Sequence, residues 1–297
     1  MKASVLITGS TGMLGQAAVS LLGNRGLGLS HEALDIADAD AVSQAFTRFQ
    51  PQVVFNCAAS TNVDLCQTDH TYADSGNVTG PANLAMAARA SGALMVHVST
   101  DFVFDGEKGA PYTEHDEPRP LNYYGASKLE GERRVLSACP AALVVRTSWS
   151  YGPGGVNFPG RVIHWATEGR RLRAAQDQIG SPTYTPFLAR GILQLLEAGA
   201  VGVVHLAGAG QASRFEVAEA TLQSAGRKGE VERAHAIDFP ARAPRPRNTA
   251  LDCSLAASLG VSLPPWREGI NAYVGTRQDR PSDPAVSTPH QTPTSTP

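Results

Sequence analysis

Two side chains near the middle of the chain have the types and the spacing for acid–base chemistry. Tyr124 and Lys128 lie four residues apart in NYYGASKLEGE, residues 122–132. Residues four apart share one face of a helix, so these two would be neighbours, whereas Tyr123 would face Ser127. An ammonium beside a phenol favours the phenolate and makes the tyrosine a better acid–base group near neutral pH. The same spacing arises by chance on solvated helices, so the pair needs support from the rest of the chain.

A glycine-rich turn near the N-terminus provides support. Gly9, Gly12 and Gly15 in ITGSTGMLGQ follow a β-rich run and open a helical pattern. One glycine permits a tight turn, another lets a pyrophosphate approach the backbone, and a third lets helix and strand pack closely. The helix N-terminus also favours an anion. The spacing differs from the usual G-x-G-x-x-G, but the strand–turn–helix context predicts a nucleotide site.

The residues after the second predicted strand bear on which nucleotide binds. GLGLS is followed by Glu32 and Asp35, and an acid in this place can bind the ribose of NAD. No arginine lies there to bind a 2′-phosphate, although His31 offers a weaker contact. The sequence therefore leaves both NADPH and NADH open as the cofactor.

The elements that must position these residues form an alternating pattern over residues 1–150. Apolar runs such as PQVVFNCAA, ALMVHVST and AALVVRTS alternate with helical segments, one of which has Asp38 as a candidate N-cap. Near-continuous apolar strands between helices are typical of a parallel sheet covered on both faces. We therefore predict an α/β fold with a Rossmann-like, doubly wound parallel sheet that binds NAD(P).

The pattern loosens after residue 150. Helices are predicted over residues 158–168, 186–198 and 215–226, and VGVVHLAG reads as one more strand. We predict a smaller substrate-binding lobe for residues 151–275, with the option that some of its elements return to the large sheet. Residues 276–297 are rich in Pro, Ser and Thr and nearly lack apolar side chains, which predicts a disordered tail.

Composition limits the cellular setting and the partners. The net charge of −2 gives no drive toward nucleic acid or an anionic membrane. The opening apolar run is too short for a signal peptide, and no apolar stretch has spanning length. The four cysteines and eight histidines show no zinc spacing. These features predict a cytoplasmic protein without a metal site, a nucleic-acid partner or a membrane partner.

Several motifs occur in the order found in one enzyme superfamily. The glycine turn, NCAAS, STDFVFDG and YYGASK together resemble the extended short-chain dehydrogenase/reductases, and more specifically the dTDP-4-dehydrorhamnose reductase family. The combination of STDFVFDG, RTSWSYG and DQIGSPT is the most specific. The similar stretches are NCAASTNVD (56–64), VSTDFVFDG (98–106), PLNYYGASKLEGE (120–132), VVRTSWSYG (144–152), DQIGSPTY (177–184) and APRPRNTALD (243–252).

The resemblance implies a role for each matching residue. Tyr124 would be the catalytic acid, Lys128 its helper and Thr100 the hydroxyl partner, while Tyr123 would be a packing or pocket residue. The implied cofactor contacts are Gly9, Thr11, Gly12, Met13, Leu14 and Gly15 at the phosphates, Asp35 and Ile36 on the adenine side, and Ala58, Ala59, Ser60 and Thr61 beside the nicotinamide, with Tyr124 and Lys128. The implied substrate contacts are Thr100, Asp101, Trp149 and Arg245.

The chain also departs from the family pattern. Gln67 stands where an acidic residue is usual, Ser60 replaces a larger side chain, and Pro244 replaces one arginine of a usual Arg-Arg-Pro. These departures bear on the identity of the sugar and on any family metal site more than on the redox chemistry. Arginine can grip phosphate in a bidentate manner, and Arg245 is the favoured candidate for the substrate diphosphate.

The implied activity is NAD(P)H-dependent reduction of a dTDP-linked 4-keto-6-deoxy sugar, most simply dTDP-4-dehydro-L-rhamnose to dTDP-L-rhamnose. One alternative is another nucleotide-sugar 4-keto reductase or an epimerase; a dehydratase is disfavoured because no glutamate follows Asp101. The second alternative is a non-catalytic nucleotide-binding subunit resembling the β subunit of methionine adenosyltransferase. The expected partner is the nucleotide sugar, and a homodimer is left open.

Overall fold

The computed structural model describes residues 4–227 and 229–278. Its strands are β1 (Val5–Thr8), β2 (Gly26–Leu29), β3 (Val53–Asn56), β4 (Leu94–Thr100), β5 (Leu143–Thr147), β6 (Ser150–Tyr151), β7 (Leu172–Ala175), β8 (Ile179–Gly180), β9 (Thr183–Tyr184), β10 (Gly202–His205), β11 (Ala212–Ser213) and β12 (Val231–Ala234). Its α-helices are α1 (Met13–Leu22), α2 (Ala39–Phe49), α3 (Val63–Thr68), α4 (His70–Asp74), α5 (Gly80–Ser91), α6 (Tyr123–Ala138), α7 (Phe158–Thr167), α8 (Thr185–Glu197), α9 (Arg214–Ser224), α10 (Ser254–Ser258) and α11 (Trp266–Gln278).

The central sheet is six-stranded and parallel, with the order β2–β1–β3–β4–β5–β10. The chain winds outward from β1 to β2, then crosses to β3 on the other side of β1, so the winding reverses between β1 and β3. Ligands of open α/β sheets bind beyond the carboxyl ends of the strands at such a point. The predicted Rossmann-like, doubly wound fold is confirmed.

Side-chain alternation along β1 builds a core on each face of the sheet. Leu6 packs with Val54 and Leu84 on one face, whereas the adjacent Ile7 packs with Leu188 on the other. Successive strand residues point to opposite faces, and both faces are covered by helices, which explains why β1 and β5 are buried throughout.

Part of the second half of the chain belongs to the large sheet. Strand β10 pairs with β5, and α8 packs against α1 through Leu188 and Ile192. The remaining lobe consists of α7, α9 and α11 with three two-stranded ladders, β6–β9, β7–β12 and β8–β11. The optional return to the main sheet is therefore observed, while the division into domains at residue 150 stays a prediction.

The last helix corrects the expected start of the tail. Helix α11 continues through Gln278, so residues 276–278 are helical and the boundary at residue 276 is wrong. The helix persists because Ile270, Tyr273 and Val274, spaced three and four apart, are buried against the lobe. The rest of the predicted tail, residues 279–297, lies outside the described residues.

The sequence pattern does not predict the short helices that follow β3. The predicted helix begins at Asn77, but α5 begins at Gly80 and is preceded by α3, α4 and a π-helical turn, Ser75–Thr79. Asn77 instead donates from its side-chain amide to the backbone oxygen of Ser60 and to the hydroxyl of Ser127. These tertiary hydrogen bonds hold a backbone turn that local preference does not predict.

Two further observations concern residues 4–227 and 229–278. Within them, no helix combines the length and the apolar character needed to cross a bilayer. The same residues contain no cluster of His, Cys, Asp and Glu arranged to hold a metal ion. Cys57, Cys66, Cys139 and Cys253 are all free thiols.

Candidate active site

A cavity of about 530 Å³ lies beyond the carboxyl ends of β1, β3, β4 and β5. Its walls come from the glycine turn, the segments after β3, β4 and β5, the first turns of α6, and the first residue of α9. Tyr124, Lys128, Thr100, Asp101 and Trp149 all line it. The topology therefore brings together motifs that are separated by more than a hundred residues in the chain.

Each of the three glycines of the first turn is required for a different physical reason. A Cβ on Gly9 would lie 2.6 Å from the backbone nitrogen of Ala58, and one on Gly15 would lie 2.2 Å from the carbonyl oxygen of Gly9. Gly9 also has a φ of +65°, which favours glycine. A Cβ on Gly12 would meet nothing closer than 3.4 Å. Packing therefore requires Gly9 and Gly15, while Gly12 keeps free space above the turn.

The N-terminus of α1 faces this space. Gly12 is its N-cap and offers no side-chain cap, so the first-turn N–H groups of Met13, Leu14 and Gly15 lack a capping side chain. The helix dipole and such free N–H groups favour an anion. Thr11, Gly12, Met13, Leu14 and Gly15 all line the cavity. The residues present thus fit the pyrophosphate of a dinucleotide cofactor.

The segment after β3 divides into lining and supporting residues. Ala59 and Thr61 line the cavity. Ala58 packs against Gly9, and its N–H donates to Asn56 Oδ1 at 3.1 Å. The Ser60 hydroxyl donates to the backbone oxygen of Tyr72 at 2.7 Å. Ala58 and Ser60 are not among the lining residues and instead hold the loop that presents the other two.

The predicted adenine-side residues follow β2, outside the lining of the cavity. Asp35 is exposed, and its Oδ1 accepts from the N–H of Ala37 at 2.9 Å. Ile36 is buried against Gly80, and its carbonyl oxygen accepts from Asn83 Nδ2 at 3.0 Å. Asn83 was not singled out from the sequence, although a polar residue on the buried face of an alanine-rich helix is the signal that could have found it.

The N-terminus of α6 is held firmly. Asn122 Oδ1 accepts from the N–H of Gly125, and Gln67 Oε1 accepts from the N–H of Tyr123, both at 2.9 Å. A Cβ on Gly125 would lie 2.1 Å from the carbonyl oxygen of Phe102, so glycine lets the helix start directly against the segment after β4. These contacts on Tyr123 and Gly125 fix the direction of Tyr124, which lies between them.

The two adjacent tyrosines face different surroundings. The ring of Tyr123 stacks on His70 with ring centres 3.5 Å apart, and its hydroxyl donates to Asp74 Oδ2 at 2.9 Å. Tyr124 lines the cavity, with Lys128 on the same helix face. The structure therefore places Tyr123 in a packing contact and Tyr124 at the site.

Lys128 is buried at the base of the cavity with 2% of its surface exposed. Its Nζ donates to the carbonyl oxygen of Val98 at 2.7 Å and lies 3.5 Å from Nε2 of His97. Burial lowers the pKa of Lys128 to about 8, and the charge of Glu132 opposes that change. A substantial fraction of Lys128 is therefore neutral at mildly alkaline pH.

A buried hydrogen-bond chain sets the tautomer of His97. Asn56 Oδ1 accepts from the N–H of Ala58 at 3.1 Å and from the hydroxyl of Thr8 at 2.6 Å. Asn56 Nδ2 must then donate to His97 Nδ1, 3.0 Å away. Since an accepting Nδ1 carries no proton, the neutral ring carries its proton on Nε2, which faces Lys128. Burial, followed by the nearby Lys128, holds the pKa of His97 well below its usual value.

This arrangement matters because an N–H directed at an ammonium group disfavours the charged form. The His97 tautomer therefore acts in the same direction as burial and weakens proton binding by Lys128. Neither Asn56 nor His97 was predicted as a site residue. The available signal was a polar side chain inside each of two otherwise apolar strands.

The pKa of Tyr124 moves against the expectation from the sequence. Burial raises the pKa of Tyr124, a hydrogen bond with Thr100 lowers it, and the charge of Asp101 raises it further. Lys128 does not produce the lowering expected from the sequence, and burial dominates because a phenolate is poorly solvated in this cavity. At neutral pH Tyr124 is consequently a phenol, the form that can donate a proton.

Thr100 and Asp101 end β4 at the cavity. The Thr100 hydroxyl donates to Asp101 Oδ1 at 3.2 Å, and its oxygen accepts from the N–H of Phe102 at 3.2 Å. Asp101 Oδ2 accepts from the hydroxyls of Ser148, at 2.8 Å, and Thr249. Burial raises the pKa of Asp101 even though these hydroxyls hydrogen-bond to it. Its carboxyl group is thereby held rigidly by three hydroxyl groups.

Two arginines differ in how they relate to the cavity. Arg245, predicted from the sequence, does not line it; its Nη2 donates to Asp64 Oδ2 at 3.0 Å and its Nη1 to the carbonyl oxygen of Ala243 at 2.8 Å. Arg214, which was not predicted, does line it, with its guanidinium carbon 3.5 Å from the ring centre of Trp149. No sequence motif marks Arg214; only the packing of α9 brings it there.

The sequence profile of the RmlD substrate binding domain matches residues 1–278. The chain belongs to the dTDP-4-dehydrorhamnose reductase family. A dTDP-4-dehydrorhamnose reductase of Mycolicibacterium smegmatis is 39% identical over 95% of this chain and 89% of its own length. The predicted family is confirmed.

Solved structures of family members share the fold over nearly the whole chain. The dTDP-4-dehydrorhamnose reductase of Bacillus anthracis, in complex with NADP, has a TM-score of 0.90 and 33% identity over 93% of this chain and 100% of that one. The Clostridium acetobutylicum protein has a TM-score of 0.89 and 35% identity over 92% of this chain and 99% of that one.

Proposed function

We propose that this protein reduces dTDP-4-dehydro-L-rhamnose to dTDP-L-rhamnose with NADPH. The observation that carries the proposal is the convergence of Tyr124, Lys128 and Thr100 on one cavity that also contains the uncapped N-terminus of α1. The names of the relatives support the substrate, and the NADP in the Bacillus anthracis structure supports NADPH over NADH as the cofactor.

The reaction needs a hydride at the carbonyl carbon of the sugar and a proton at its oxygen. The nicotinamide supplies the hydride when it is bound. Tyr124 donates its phenolic proton to the oxygen as negative charge develops there. In the resting site the Thr100 hydroxyl donates to Asp101 Oδ1; when substrate binds, the hydroxyl rotates to donate its one proton to the carbonyl oxygen and places that oxygen beside the phenol. Both side chains lie in one cavity and are joined by the hydrogen bond that lowers the pKa of Tyr124.

The ammonium of Lys128 favours the tyrosinate that remains after proton transfer, because opposite charges attract strongly where water is excluded. The N–H of Phe102, which donates to the Thr100 hydroxyl oxygen at 3.2 Å, holds Thr100 in place while its proton is used. At the glycine turn, Thr11, Gly12 and the first-turn N–H groups of α1 bind the cofactor pyrophosphate. Ala59 and Thr61 then form the wall beside the nicotinamide.

We also propose a cytoplasmic location, which the four free cysteines support, since disulfides persist in oxidising compartments. The nucleotide sugar is the proposed partner. A homodimer stays a prediction.

The test is to follow oxidation of NADPH, and separately of NADH, with the 4-keto sugar nucleotide generated in situ in the presence and absence of the preceding epimerase. We expect turnover that requires the epimerase and prefers NADPH. Tyr124→Phe should lower kcat by about 10²- to 10⁴-fold while leaving the Kd for NADPH unchanged. Tyr123→Phe is the matched control, because it removes a hydroxyl bonded to Asp74 outside the cavity.

Other outcomes would contradict specific parts of the proposal. Turnover without the epimerase would assign a different 4-keto sugar to the enzyme. Tight NADPH binding without turnover on any 4-keto sugar nucleotide would favour a nucleotide-binding subunit. Equal losses in the two phenylalanine variants would remove Tyr124 from the role of proton donor.

A further inference from the structure

Arg214 carries a positive charge into the cavity without a hydrogen-bonding partner. It is the first residue of α9, and its guanidinium lies 3.5 Å from the ring centre of Trp149 and 5.3 Å from that of Phe158. Across residues 4–227 and 229–278, no hydrogen bond or ion pair reaches this guanidinium. The side chain is partly buried and keeps some contact with solvent, so its N–H groups are open toward the cavity and can bind an anion that enters it.

The nearby carboxylate does not fill this role. Asp101 is close enough to influence Arg214 electrostatically, but its oxygens already accept hydrogen bonds from three hydroxyl groups. Burial lowers the pKa of Arg214 to about 10, so the side chain remains charged at neutral pH. A planar, charged donor group with free N–H bonds therefore faces the cavity.

Trp149 holds this guanidinium in place. A Cβ on Gly180 would lie 2.5 Å from Cε2 of the indole, so only glycine lets the backbone approach the ring this closely. The guanidinium of Arg214 lies 3.5 Å from the same ring. The indole therefore contacts both Gly180 and the guanidinium of Arg214. The contact with Trp149 restricts the guanidinium of Arg214 before a ligand arrives, which reduces the entropy lost on binding.

The other candidate arginine already has an anionic partner. Arg245 is paired with Asp64 at 3.0 Å and lies outside the lining of the cavity. The N-terminus of α1, which lines the same cavity, is the proposed site of the cofactor pyrophosphate. Arg214 belongs to the lobe that packs against the Rossmann-like part, and it is thereby left for a second anion in the same cavity.

We propose that Arg214, held against Trp149, binds the diphosphate of the nucleotide-sugar substrate. This inference rests on the proposed function, because that substrate carries the diphosphate. The guanidinium has a fork of N–H donors that matches two phosphate oxygens at once, a geometry that lysine does not reproduce.

The test measures binding of dTDP, dTMP and thymidine to the full chain by calorimetry, without turnover. Charge-assisted hydrogen bonds contribute about 1.5–3 kcal/mol, so Arg214→Gln should weaken dTDP binding by roughly 10- to 150-fold. Thymidine and NADPH should bind as before, and Arg214→Lys should recover only part of the dTDP affinity. Arg267→Gln is the matched control, because Arg267 also stacks on a tryptophan, Trp266, at 4.4 Å but does not line the cavity.

Several results would overturn the inference. Unchanged dTDP affinity in Arg214→Gln would do so, as would an equal loss of thymidine, which would indicate a distorted pocket. A loss of NADPH affinity would assign Arg214 to the cofactor, and a larger dTDP loss in Arg245→Gln would return the role to that residue. If the wild-type protein instead prefers UDP or ADP, and Arg214→Gln weakens that ligand, the diphosphate site stands while the proposed sugar nucleotide fails.

Discussion

The pKa of Lys128 makes a quantitative prediction about pH dependence. The pKa is lowered to about 8, so raising the pH removes the proton from the folded enzyme. By the titration equation about nine-tenths of Lys128 is charged at pH 7 and about one-tenth at pH 9. If the ammonium is required, kcat/KM for NADPH should fall about tenfold across this interval. This parameter reports ionisations of the free enzyme, which is the state the structure describes.

The assay is a series of initial rates from pH 6 to pH 10 at constant ionic strength with NADPH below its KM. Lys128→Arg is the first control, because a guanidinium remains charged throughout this range. Its rate should be lower, but its alkaline limb should disappear. A flat wild-type profile between pH 7 and pH 9, or the same limb in Lys128→Arg, would refute the argument that Lys128 is the titrating group.

Asn56→Asp probes the cause of the lowered pKa. An aspartate at residue 56 can accept from His97 Nδ1 and would move the ring proton from Nε2 to Nδ1. The lone pair of Nε2 would then face Lys128, and the added negative charge would act in the same direction. The alkaline limb should move upward by about one unit or more. An unmoved limb in a folded variant would show that burial, opposed by Glu132 and Cys57, sets the pKa of Lys128 without a contribution from the His97 tautomer.

Three further predictions concern folding and cofactor binding. Gly15→Ala places a Cβ 2.2 Å from a backbone oxygen, so it should lower the stability by about 1–3 kcal/mol and also weaken NADPH binding. Gly12→Ala has 3.4 Å available for its Cβ, so it should keep the wild-type Tm and lose only NADPH affinity. Equal Tm values for the two variants would contradict this. Glu132→Ala removes one partner of a buried ion pair and should lower the free energy of unfolding, measured in urea, by about 3–5 kcal/mol. Glu130→Ala removes one partner of an exposed pair and should change the same quantity by less than about 1 kcal/mol. Burial lowers the pKa of His205 to about 4, so as the pH drops this histidine is protonated in the unfolded chain before it is protonated in the folded one. The free energy of unfolding should therefore fall by up to about 3 kcal/mol between pH 6.5 and pH 4. His205→Gln should flatten this part of the stability–pH curve, and an unchanged slope would contradict the argument.

Much of the fold is readable from the sequence because its determinants are local. Apolar runs buried on both faces predict parallel strands, and the side chain of Asp38 caps α2 as the sequence predicts, accepting from the N–H groups of Asp40 and Ala41. The glycine turn is also local, since strand, turn and helix follow one another directly. The short elements between β3 and α5 were not predicted, because side-chain bonds from Asn77 to distant residues stabilise them.

The family, the parallel sheet and the helix face that carries Tyr124 and Lys128 can all be predicted from the amino-acid sequence, because they depend on periodicity and on the order of motifs along the chain. The electrostatics of the site, in contrast, depend on the three-dimensional fold. It placed Arg245 beside Asp64 and Arg214 beside Trp149, and it joined Asn56 to His97 beneath Lys128. Burial and the direction of hydrogen bonds depend on contacts across the whole chain, so the charge state of each site residue could not be read from its neighbours in sequence.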